Sequence, residues 1–84
     1  MDVNHTHRQT LERIFGHPLS SNVEWRQVRS LLESVGAATE EQNGKLKVTL
    51  GGETAVLEPP HGKDVDRRTL VDVRRVLERE GVTP

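Results

Sequence analysis

The sequence predicts an α+β domain in which a three-stranded antiparallel sheet carries helices on one face. Three observations lead there. Apolar residues recur at three- and four-residue steps near both ends of the chain, and at every second residue between them. Asn43-Gly44 and Gly51-Gly52 are two-residue hairpin signals of the primed turn types, and they cut the middle of the chain into three strands. Pro59 and Pro60 then stop the strand region, because proline has no N–H to donate to a ladder.

Thr6 to Phe15 reads as a short helix with Leu11, Ile14 and Phe15 on its apolar face. Thr6 is its expected cap, with Gln9 at capping-box spacing, and Gly16 and Pro18 end it. A helix this short must pack on the body to be stable. A second helix starts at Ser21 or Asn22, where Ser21 and Glu24 match a capping box. Trp25, Val28, Leu31, Leu32 and Val35 form its stripe, and Gly36 stops it. The spacing puts Trp25 on the buried side, as a core residue rather than a stacking platform. Residues 1–20 read as an N-terminal extension with a short helix, and 21–84 as the core domain.

The strands are Ala37 to Gln42, Lys45 to Leu50 and Glu53 to Glu58. Taken literally, the turns set the register. Lys45 faces Gln42, Lys47 faces Glu40 and Val48 faces Thr39. Leu46 faces Leu57, Val48 faces Ala55 and Thr49 faces Thr54. Leu46, Val48, Ala55 and Leu57 then share the face that meets the helices, with Ala37 beside them. Lys45, Lys47, Thr49, Thr54, Val56 and Glu58 share the wet face. A last helix runs from Asp66 to Glu80, with Asp66 as its cap and Leu70, Val73, Val76 and Leu77 buried. Arg68, Asp72, Arg75 and Arg79 line its outer face, where charges at such steps read first as a solvated, salt-bridged surface. Gly81 ends the helix.

Eighty-four residues make one domain with a small core, filled by Leu and Val because the chain has one Trp, one Phe and no Tyr. There is no cysteine, which removes disulfides, zinc-thiolate sites and thiol chemistry. No apolar run approaches a signal core or the roughly 18 residues of a membrane span, so the expectation is a cytoplasmic protein without a membrane partner. The net charge of −1 excludes a whole-molecule basic field, so any nucleic-acid surface is a local patch. His5 and His7 form an H-x-H pair without an evident third ligand, so no metal site is expected. No phosphate loop, nucleophile–base pair or cofactor fingerprint is present, and no cofactor is expected.

The connection Glu58-Pro59-Pro60-His61-Gly62-Lys63-Asp64-Val65 holds the chemistry-bearing residues. A histidine in a turn between strand and helix can act as acid, base or anion contact. The run Pro60-His61-Gly62-Lys63-Asp64-Val65, followed by Thr69-Leu70-Val71-Asp72-Val73, resembles the HicA family. So does the earlier helix Trp25-Arg26-Gln27-Val28-Arg29-Ser30-Leu31-Leu32-Glu33-Ser34-Val35-Gly36. These are small toxins of bacterial toxin–antitoxin pairs, and the likeness spans residues 23–82. It implies a fold like the double-stranded-RNA-binding domain, action on mRNA and an antitoxin-like protein partner. The family's catalytic histidine lies where the first hairpin turn enters the second strand. This chain reads Asn43-Gly44-Lys45-Leu46-Lys47 there, without a histidine.

The resemblance therefore implies RNA binding with the usual cleavage group missing. Lys45, Lys47, Lys63, Arg67 and Arg68 are the expected phosphate contacts, with His61 at their edge. A protein-interaction module for an antitoxin-like partner is the alternative. An mRNA endoribonuclease with His61 as general base is the third reading.

Overall fold

The structure is a computed structural model, and it describes residues 5–16 and 23–84. Its elements are α1 (His5–Ile14), α2 (Trp25–Ser34), β1 (Ala38–Gln42), β2 (Lys45–Leu50), β3 (Glu53–Leu57) and α3 (Arg67–Arg79). They form the expected α+β architecture, with a three-stranded antiparallel sheet and β2 at its centre. Among the described residues, no helix is long and apolar enough to cross a membrane.

The turn chemistry sets the sheet. Asn43 and Gly44 both have positive φ, at 52° and 78°, as a type I′ turn demands. In the second turn only Gly51 does, at 59°, which is the type II′ pattern. The register follows as expected: Gln42 pairs with Lys45, Glu40 with Lys47 and Thr39 with Val48. Leu46 pairs with Leu57, Val48 with Ala55 and Thr49 with Thr54. Leu46, Val48, Leu50 and Leu57 are buried, with Ala55 half-buried beside them. Val56, pointing the other way, is 55% exposed.

Val28, Leu31 and Leu32 of α2 and Leu70, Val73, Val76 and Leu77 of α3 close the core against this face. The first helix packs on α2 and α3, adding Leu11 and Ile14 to the same core. The Arg74 guanidinium sits 5.4 Å from the centre of the Phe15 ring, a cation–π contact across the α1–α3 seam.

Element ends differ from the sequence expectation where longer-range bonds decide them. The first helix already includes His5, so Thr6 lies within its first turn instead of capping it. The Thr6 carbonyl accepts the Thr10 hydroxyl at 3.1 Å. Ser21 and Asn22 lie outside the described residues, but the second helix starts later than they imply, with Glu24 as its cap. The Gln27 side chain accepts the Glu24 N–H at 3.0 Å, so the capping partners are Glu24 and Gln27, not Ser21 and Glu24. Ala37 is not in β1 because its N–H bonds back to the Leu32 carbonyl at 2.9 Å, closing α2 in a Schellman motif. The third strand stops at Leu57, one residue early, ahead of the two prolines.

The register has a direct test in a pair of variants. Leu46→Ala, on the buried face, should cost about 2–5 kcal/mol. Val56→Thr, on the wet face, should stay within about 0.5 kcal/mol of wild type. Urea denaturation midpoints measure both, and a slipped register would exchange the two outcomes.

Candidate nucleic-acid interface

Two backbone bonds organise the end of the molecule where the candidate residues lie. The Trp25 N–H donates to the Lys63 carbonyl and the Val65 N–H to the Val23 carbonyl, each at 2.8 Å. Glu24 and Asp64 thus form an antiparallel bridge. Val23 and Val65, at 0% and 4% exposure, anchor it in the core. This pairing holds Glu24 extended (φ −84°, ψ 147°), and so α2 cannot begin before Trp25. It also fastens the β3–α3 connection to the head of α2.

Lys63 is exposed on that connection, and its charge acts on Glu24. The Glu24 carboxyl is held below its usual range, first by the hydrogen bond from Arg26 Nε at 2.8 Å, with the charges of Arg26 and Lys63 adding to it. Arg67 and Arg68 open α3 and are exposed. Asp66 caps that helix, accepting the Thr69 N–H at 2.8 Å. The Thr69 hydrogen bonds lower the Asp66 carboxyl, and the neighbouring Arg68 charge lowers it further.

Lys45 lies on the outer sheet face, its ammonium 3.4 Å from Glu58, both side chains at least half exposed. Glu58 and Arg68 in turn line one cleft, of about 210 Å³, at the side of β3. Lys47 is two residues further along β2 on the same face, between Glu40 and Val56. The structure thus places Lys45 and Arg68 beside Glu58, and Lys63 at the head of α2, with Arg67 next to Arg68 in sequence and Lys47 further along the outer sheet face.

His61 is exposed on the connection, and among the described residues it makes no hydrogen bond or ion pair. No carboxylate orients its ring, as a general base in a triad-like arrangement requires. His5 and His7 lie in the first turn of α1, not on an extended segment. Two residues apart on a helix is a rotation of about 200°, so the two rings do not share a face. His7 Nε2 instead meets Ser30 Oγ at 2.7 Å.

Sequence reasoning missed one feature. Trp25 packs against the core as expected, but it is only half-buried and also lines a cavity of about 140 Å³. Arg29, Glu41, Gly44, Lys45, Leu46 and Pro59 complete the wall. Arg29 reaches Glu41 at 3.3 Å, across from α2 to β1. The available signal was position: Trp25 is the first helical residue, so its ring lies at the end of the apolar stripe, and Arg29 follows one turn later. The outer face of α3 is solvated as expected, but its ion pairing is across elements: among the described residues Arg68, Asp72 and Arg75 make no ion pair, whereas Arg79 reaches Glu53 at 3.3 Å. Asp72, Arg75 and Arg79 instead line a cleft of about 370 Å³ against β3.

No family model matches the chain, and no curated relative or solved structure matches it.

The Asp66 cap gives a pH-dependent prediction. Asp66→Ala should cost about 1 kcal/mol at neutral pH. The folded carboxyl titrates below its usual value, so its contribution is complete above the unfolded-state value and disappears as pH falls through the lower folded one. Wild-type and variant thermal midpoints should therefore differ near pH 7 and draw together as pH falls well below the ordinary Asp value of about 3.9.

Proposed function

We propose that this chain is a HicA-like RNA-binding domain that holds RNA chiefly by its phosphates and lacks the family's usual means of cutting it. The observation that carries this reading is the state of its cations. Lys63, Arg67 and Arg68 are exposed and Lys47 half-buried, and none of them makes an ion pair among the described residues. Lys45, whose partner Glu58 is itself exposed, adds a further accessible cation, so phosphate contacts would be local on a protein of net charge −1. A surface that binds by phosphates and shape needs charges in place and few base-reading groups. Cleavage needs more: an oriented base, an acid or a prepared charge at the phosphorane, and His61 has no group holding it in place.

A second reading, a protein-interaction module for an antitoxin-like partner, is favoured by the free edge of β3. That strand has only β2 as neighbour, carries the exposed Val56 and is flanked by the two clefts against α3. An extended partner segment could add to such an edge.

Backbone amide shifts of the isotope-labelled protein, titrated with an RNA duplex and then a single strand, test the first reading. Lys45, Lys47, His61, Lys63 and Arg67 should move together and saturably. The binding constant should fall steeply with salt, and Lys63→Ala should reduce the slope of log K against log salt by about one. RNA recovered afterwards should be uncut. No shift with either RNA would refute RNA binding and favour the protein partner. Cleavage abolished in a folded His61→Ala would replace the proposal with the nuclease reading.

A further inference from the structure

The cavity beside Trp25 is more specific than a phosphate-binding surface requires. Its walls come from three places in the chain: Trp25 and Arg29 on α2, the first hairpin with Glu41, Gly44, Lys45 and Leu46, and Pro59 after β3. We propose that it binds a single unpaired RNA base of pyrimidine size, stacked on Trp25, with Lys45 and Arg29 meeting the adjoining phosphates. This rests on the RNA-binding reading and deepens it, by naming an unpaired nucleotide as the group recognised.

Size, chemistry and location point to the same occupant. A cavity near 150 Å³ accommodates one benzene ring, and this one is about 140 Å³, so it suits one planar six-membered ring and excludes a base pair. Trp25 is the chain's single tryptophan; it packs against the core and, being half-buried, also lines this wall. Aromatic side chains bind single strands by stacking on bases, since every base has a π-face. Glu41 offers a carboxylate acceptor to N–H groups on a base edge once phosphate takes Arg29 from it.

Both cations are held only by exposed acids. Arg29 pairs with Glu41, whose side chain is 75% exposed, and Lys45 with Glu58, at 73%. Such pairs contribute little, so phosphate can replace the carboxylate. The cavity also adjoins the proposed phosphate contacts, because Lys45 belongs to both and the Trp25 N–H is bonded to the Lys63 carbonyl.

The single tryptophan is the reporter. The full chain is titrated with hexauridylate, with an abasic ribose-phosphate strand of equal charge and with a blunt RNA duplex. Trp25 fluorescence and the amide shifts of Gly44, Leu46, Lys47 and Lys63 are followed together. Hexauridylate should quench Trp25 saturably and move Gly44 and Leu46, while the abasic strand and the duplex move only Lys47 and Lys63. Trp25→Leu should weaken hexauridylate binding by about tenfold or more and leave the abasic strand unaffected. The amide shifts of the wild-type protein decide the matter even where that variant folds poorly. If all three ligands move Lys47 and Lys63 equally and leave Trp25 and Gly44 silent, the base site is overturned and the phosphate surface stands. If none binds, both readings fall.

Discussion

The pairing of Val23–Trp25 with Lys63–Val65 is the constraint on which the rest of the site depends. It comprises two backbone hydrogen bonds, each worth about 1 kcal/mol net, so the bonds alone would be a weak tie. The two buried valines that flank them make it firm, since pulling the segments apart would expose both side chains. With the tie in place, the connection from β3 to α3 is held at both ends. Pro59 follows the sheet, Lys63 lies at the head of α2, and Asp66 caps α3 immediately afterwards. The same tie fixes where α2 begins, and thereby places Trp25 at a helix end with its ring against the hairpin. A connection free to move would leave the cations and the cavity in no fixed relation.

The reach of local rules explains which features were legible in the sequence. The sheet was, down to its register, because two-residue turns admit few backbone solutions and each is marked by Gly or Asn. The buried stripe and cap of α3 were legible for the same reason, since Asp66 and Thr69 are three residues apart. The start of α2 was not. Ser21 and Glu24 satisfy a local pattern, but Glu24 is held extended by residues some forty positions away. The core side of Trp25 was legible and its exposure at a cavity was not, because a periodic stripe says which face a residue occupies and nothing about what the helix end leaves open. The Arg29–Glu41 and Lys45–Glu58 pairs join different elements, so no spacing rule within one element could have found them.

Charge follows the same division between local and global. A net charge of −1 gives no long-range field to draw in a polyanion. Under the RNA-binding proposal, affinity would come from a few cations at contact distance, screened beyond about 10 Å at ordinary salt. The acids around them do not cancel this. Glu58 and Glu41 are mostly exposed, so their pairs with Lys45 and Arg29 are soft and exchangeable. Glu24 differs, because Arg26 holds its carboxylate and the helix start uses Gln27 to bind its N–H. It keeps one negative charge beside Lys63, which tempers that local charge and disfavours indiscriminate binding.

Binding and cleavage ask different things of this geometry. Binding tolerates mobile side chains, because a lysine ammonium can meet a phosphate from many directions. Proton transfer does not: the base must lie within hydrogen-bond reach of one hydroxyl, and it loses efficiency when its ring turns freely. His61 is exposed on a connection whose backbone is tied at Lys63, yet among the described residues its own ring has no partner. The position where the resemblance expects a catalytic histidine is instead Lys45 and its neighbours, at the cavity wall. The position that the resemblance assigns to a histidine thus carries a lysine, beside a cavity of about 140 Å³.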